Sequence, residues 1–134
     1  MKILIICSKA FYGKLDDYKR NLEKLGHEVF MPNCWDCPGE EAKYRGTAEH
    51  AIFKAKMYRQ SEETISRSDA VLVLNFEKNG CKNCIGGATF LEIYDAFRMK
   101  KKIYFVNDIP ENMLKDELIG FSPVIINNDL TKIV

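Results

Sequence analysis

The sequence predicts an α/β fold: a doubly wound sheet of about five parallel strands in a three-layer α/β/α sandwich, flavodoxin-like or Rossmann-like. Three observations predict it. Short runs of β-branched and large aliphatic residues, clearest in Lys2–Cys7 and Ala70–Leu74, lack polar alternation, as strands buried on both faces do. Segments of helical apolar spacing separate these runs, and a helix between two strands implies a parallel crossover. A glycine-bearing turn, Asn79–Glu92, leads from the Ala70–Leu74 run into a helix, and ligands of open α/β sheets sit beyond the carboxyl ends of the strands, where such a turn falls.

The elements follow in order. Lys2–Cys7 is the first strand and Ser8–Gly13 the loop after it. Leu15, Tyr18, Leu22 and Leu25 form the apolar stripe of the first helix, which Gly26 ends. His27–Met31 is the second strand. Pro32–Gly46 is then a long loop carrying Cys34, Trp35 and Cys37, and a loop of that length in a compact domain is more often functional than idle. Thr47–Arg67 returns to helical spacing through Ile52, Ala55, Met57 and Ile65, ahead of the third strand at Ala70–Leu74. Gly87–Met99 is the third helix, with Phe90, Ile93, Ala96, Phe97 and Met99 at helical spacing, and Ile103–Val106 is the fourth strand. Pro110–Leu118 predicts a short helix and Val124–Ile126 a fifth strand. No repeat, linker or low-complexity segment interrupts the pattern, so residues 1–134 read as one domain.

With strand order 2-1-3-4-5, the switch point lies between strands one and three, and the loops after Cys7 and Leu74 flank one crevice. Ser8, Phe11, Tyr12, Asn75, Gly86, Gly87 and Glu92 are expected there, with Asn107 nearer the far wall.

Composition narrows the partners. A chain of 134 residues buries about two-thirds of its unfolded surface and needs no staple to fold. A formal net charge of +1 gives no reason to expect nucleic acid or an anionic membrane as a partner. Lys100, Lys101 and Lys102 suit the end of a helix, where cations are favoured. No apolar run approaches the roughly 18 residues of a membrane span, and Met1–Cys7 lacks a small-residue cleavage site, so the expected compartment is the cytoplasm.

Two constellations carry chemistry. Glu92 would face the crevice as an exposed carboxylate, yet Thr89-Phe-Leu-Glu92 also has the form of a capping box, in which the glutamate bonds back to the cap residue's N–H. Gly86-Gly87 would let backbone N–H groups approach an anion, or serve any tight strand-to-helix turn. Cys34-Trp-Asp-Cys37 and Cys81-Lys-Asn-Cys84 supply four thiolates, the ligand set of a structural zinc site, if the fold brings both loops over strand one. Free thiols or one redox pair are the alternatives. Cys7 reads as a small core hydrophobe. His27 and His50 are isolated in sequence. Neither a Gly-x-Ser-x-Gly elbow nor the glycine spacing of a dinucleotide fingerprint occurs.

From Lys2 to about Val106 the chain resembles the nucleoside 2-deoxyribosyltransferase-like superfamily, which includes the deoxynucleoside 5′-monophosphate N-glycosidases. The residues carrying the resemblance are Cys7-Ser8 at the end of the first strand, Ser68-Asp-Ala-Val-Leu-Val-Leu74, the glycine turn, Glu92, Ala96 and Lys102-Ile-Tyr-Phe-Val106. It implies cleavage or transfer at the N-glycosidic bond of a nucleoside or nucleoside monophosphate. Glu92 stands where the family's glutamate attacks the anomeric carbon, as in a retaining glycosidase. Ser8–Gly13 falls where sugar or phosphate is held, and Phe11, Tyr12 or Trp35 is available to stack on the base. The resemblance also implies a homo-oligomer; zinc would be structural, and catalysis needs no cofactor. Three features depart from the family's pattern. Ser61 stands roughly where the family tends to place an aspartate, with Glu62 and Glu63 the nearest carboxylates, so no acid is identified for the leaving base. Gly86-Gly-Ala-Thr-Phe-Leu91 replaces the usual glycine-x-glycine approach, and the paired cysteines are additional. The competing expectation is a catalytically silent nucleotide-binding or zinc-stabilised sensor or assembly module.

Overall fold

The computed structural model describes residues Met1–Val134. Its five strands are β1 (Lys2–Cys7), β2 (Glu28–Phe30), β3 (Ala70–Leu74), β4 (Lys102–Phe105) and β5 (Val124–Ile125). They form one sheet in the order β2-β1-β3-β4-β5, with every pairing parallel. Helices α1 (Leu15–Lys24), α2 (Glu49–Ser66), α3 (Gly87–Arg98) and α4 (Lys115–Gly120) complete the three-layer α/β/α arrangement. No helix is long and apolar enough to cross a membrane.

Because side chains alternate along a strand, the two central strands feed two cores. Ile3, Ile5, Cys7, Ala70, Leu72 and Leu74 pack with Leu15 and Leu22 of α1 on one face. Leu4, Ile6, Val71 and Val73 pack with Ile65 of α2 and with Ile93 and Ala96 of α3 on the other. All five residues of β3 are buried, which is why its sequence shows no polar alternation. Each fully buried Leu or Ile here contributes about 1.5–3 kcal/mol relative to exposure.

The register places Cys7 opposite Leu74, so β1 and β3 end at the same level and their following loops start side by side. A second device fixes the neighbouring strand ends. Asn75, fully buried, donates through Nδ2 to the Asn107 and Asp108 carbonyls at 2.9 and 3.0 Å. In return, Asn107 N–H donates to Asn75 Oδ1 and Asn107 Nδ2 to the Asn75 carbonyl, both at 2.9 Å.

Two local expectations need correction. The short helix predicted over Pro110–Leu118 forms at Lys115–Gly120, since its first part lies in turns that follow Pro110. The capping box at Thr89 does not form. Helix α3 starts at Gly87 behind an extended Gly86, and Phe90 N–H donates to the Gly86 carbonyl at 2.9 Å. Thr89 is therefore buried inside the helix and Glu92 is its sixth residue, beyond reach of the cap N–H.

Candidate active site

A cleft of about 320 Å³ opens at the carboxyl edge of β1 and β3. Four segments wall it: the end of β1 with its loop, the long loop after β2, one side of α2, and the turn into α3. Its position is the topological switch point of the sheet.

Glu92 lies on the α3 wall, one and a half turns from the helix start, facing α2 across the helix–helix contact. Burial pushes its carboxyl up to about 7, against the pull of a Ser61 hydrogen bond, with the Asp95 charge raising it further and the Lys54 charge lowering it. Ser61 is itself buried and accepts from Asn33 Nδ2 at 2.7 Å. Asn33 is anchored in turn to the Met57 carbonyl at 2.9 Å.

Four cationic side chains, Lys9, Arg45, Lys54 and Lys78, share this wall with two carboxylates, Glu41 and Glu92. Glu41 is ion-paired with Lys9, Arg45 and Lys54 and bonded to His50. Burial alone would raise its carboxyl, but the His50 hydrogen bond and the Lys54 and Lys9 charges hold it at about 2. It stays ionised, which leaves Glu92 as the carboxyl in the cleft that titrates near neutrality.

The turn into α3 is open. A Cβ built at Gly86 or Gly87 meets nothing within 4 Å, and neither residue has a positive φ. Packing and backbone strain therefore do not require glycine there. Lys78 Nζ donates to Ser8 Oγ at 3.2 Å, bridging the two loops that flank the switch point.

Of the residues expected at the site, Ser8, Tyr12, Gly86, Gly87 and Glu92 line the cleft. Burial keeps the Tyr12 phenol protonated, with nearby Cys7 and Glu92 charges adding to the effect, and its hydroxyl donates to the Asn33 carbonyl at 2.8 Å. Phe11 instead packs edge-on against Phe76 in the core. Asn75 and Asn107 are committed to the strand clamp, and Trp35 is half-exposed away from the lining. Cys7 also reaches the lining, and burial, then the Glu92 charge, pushes its thiol up to about 12.

The four remaining cysteines are free and do not assemble. Cys81 Sγ lies 3.9 Å from the Lys82 carbonyl oxygen, within its own turn. No group of three or more His, Cys, Asp or Glu side chains is arranged to hold a metal ion. Lys78 and Cys81 exchange backbone hydrogen bonds and Cys84 N–H donates to the Phe76 carbonyl, folding that turn back onto its own strand end. Cys34 faces the cleft with its sulfur 3.8 Å from Met57 Sδ.

Of the polar side of α2, the sequence singled out Ser61 alone. Lys54, Tyr58 and Ser61 recur at intervals of four and three, one helix face, and they line the cleft with Phe53 and Met57. That spacing was the available signal.

Fold and cleft together define an α/β protein with a candidate ligand site at its switch point, built around one titrating carboxyl among cations. No family model and no curated protein matches the chain.

Proposed function

We propose that the protein cleaves or transfers at the N-glycosidic bond of a nucleoside 5′-monophosphate or nucleoside, with Glu92 as the nucleophile. The observation that carries this reading is the Glu92 carboxyl on the cleft wall, free of any salt bridge, while the other cleft carboxylate is ion-paired with Lys9, Arg45 and Lys54. A carboxylate so placed can attack an anomeric carbon: a sugar–Glu92 ester forms as the C–N bond breaks and the base departs with its electron pair. Water or a second base then takes the sugar and regenerates the carboxylate.

Several features support a phosphorylated substrate. Cations outnumber carboxylates in the lining, the start of α3 presents unshielded backbone, and Ser8 and Lys78 meet beside it. Tyr12, Phe53 and Tyr58 offer aromatic surface for a base. Since a nucleophile must be ionised, kcat/KM should rise with pH through about 7. A profile falling through that pH would assign Glu92 as a proton donor instead.

The test is chromatographic. Purified protein is incubated with nucleosides and their 5′-monophosphates, with and without an acceptor base, and free base is measured. Release or exchange is expected, stronger for monophosphates, and reduced at least about 10³-fold in Glu92→Gln. Release that survives Glu92→Gln, or none from any substrate, defeats the proposal.

A further inference from the structure

Glu41 takes no part in the bond chemistry, yet its surroundings are unusual for a loop glutamate. Its side chain is 12% exposed. Oε1 lies 3.4 Å from the Lys9 ammonium and 3.4 Å from that of Lys54. Oε2 lies 3.2 Å from His50 Nε2 and 3.4 Å from the Arg45 guanidinium. Those partners belong to the turn after β1, the long loop and the first half of α2, so one carboxylate ties together three walls of the cleft.

Lys54 is the Glu41 partner that shares the helix face of Ser61 and lines the cleft with Glu92. Its ammonium sits 5.5 Å from the centre of the Tyr58 ring, and its charge favours the ionised form of both carboxylates. At 3.4 Å from Glu41 it is shared among neighbours rather than closed into a short pair.

We propose that Glu41 is a positioning residue for Glu92: it anchors the Lys54 ammonium beside the cleft and, by sharing that charge, sets how much of it reaches the Glu92 carboxylate. The catalytic meaning rests on the reading of Glu92 as nucleophile, but the Glu41–Lys54–Glu92 coupling is measurable without any substrate. The other groups acting on Glu92 do not duplicate it. Asp95 on α3 opposes ionisation, Ser61 on α2 is uncharged, and Cys7 and Tyr12, from β1 and its loop, stay protonated. Lys9, Arg45 and Lys78 line the same cleft, the first two paired with Glu41 and the third bonded to Ser8. Neutralising Glu41 frees Lys54 for Glu92 and leaves the cleft more positive, and both effects favour the ionised Glu92.

The experiment follows the Glu92 side-chain carboxyl by carbon-detected NMR through a pH titration of the full chain, with Glu92→Gln for assignment and amide spectra to confirm folding. Glu41→Gln should lower the midpoint by about half a unit or more, and Lys54→Met should raise it by a similar amount. In the Lys54→Met background, the effect of Glu41→Gln should shrink to less than about half, the signature of two residues acting through one contact. Glu41→Asp, which keeps the charge, should stay nearer the wild-type midpoint than Glu41→Gln. An unmoved midpoint in Glu41→Gln, or a shift of equal size with and without Lys54, overturns the proposal. Should the midpoints move as expected while no nucleoside or nucleotide releases base, the glycosidase reading fails and the coupling stands.

Discussion

As the proposed nucleophile, Glu92 concentrates a conflict between stability and chemistry. Its carboxyl is pushed up to about 7 by burial, whereas an unfolded chain leaves it near the ordinary carboxylate value. The folded state therefore holds the proton more tightly, and this contribution to stability is complete below about 4.5 and lost as pH rises through about 7. Glu92→Gln removes the penalty of a partly buried charge. It should stabilise the protein at pH 8 by roughly 1–3 kcal/mol, after allowance for partial solvent exposure, and change little at pH 4. Denaturant melts at the two pH values check this, and equal effects at both would show that Glu92 is already ionised and well solvated. The residue was legible in the sequence through its place after a glycine turn. Its surroundings were not: no motif marks Lys54 or Glu41, and only the packing of the long loop against α2 brings them together.

At the scale of the element, the start of α3 joins fold to site. The helix begins at Gly87, where the glycine turn placed it, and the capping-box pattern at Thr89 fails because a cap pattern is a local signal and the cap is Gly86, three residues earlier. That start bears on what the glycines mean. Since neither needs its conformational freedom and neither is crowded, Gly87→Ala should leave the melting temperature unchanged or raise it slightly, by up to about 1 kcal/mol in stability. The new methyl would stand where backbone meets the cleft, so KM for a 5′-monophosphate should rise about tenfold with KM for the nucleoside much less affected. An equal effect on both would place the phosphate elsewhere.

Over the whole molecule, the strand order and parallel pairing were readable because β1 and β3 are buried on both faces and helices intervene between strands. The division of labour at the strand ends was not. Asn75 and Asn107 looked like ligand-facing residues at the carboxyl edge, but a buried asparagine must satisfy its amide, and these two satisfy each other across β3 and β4. Asn75→Ala should destabilise the fold by about 2–4 kcal/mol, since it strands the Asn107 N–H and two carbonyls. Unchanged stability in chemical denaturation would show that solvent reaches the clamp. The cysteine pairs show the same limit from the other side: spacing alone suggested four ligands, and no group of three or more His, Cys, Asp or Glu side chains is arranged to hold a metal ion.

The most direct measurement is mass spectrometry of the protein quenched in acid during turnover of a 2-deoxynucleoside 5′-monophosphate, followed by peptide mapping. The expected result is a mass increase equal to one deoxyribosyl phosphate residue on the peptide containing Glu92, absent from Glu92→Gln. Base release accompanied by no adduct on that peptide, or by an adduct on any other side chain, would contradict Glu92 as the nucleophile.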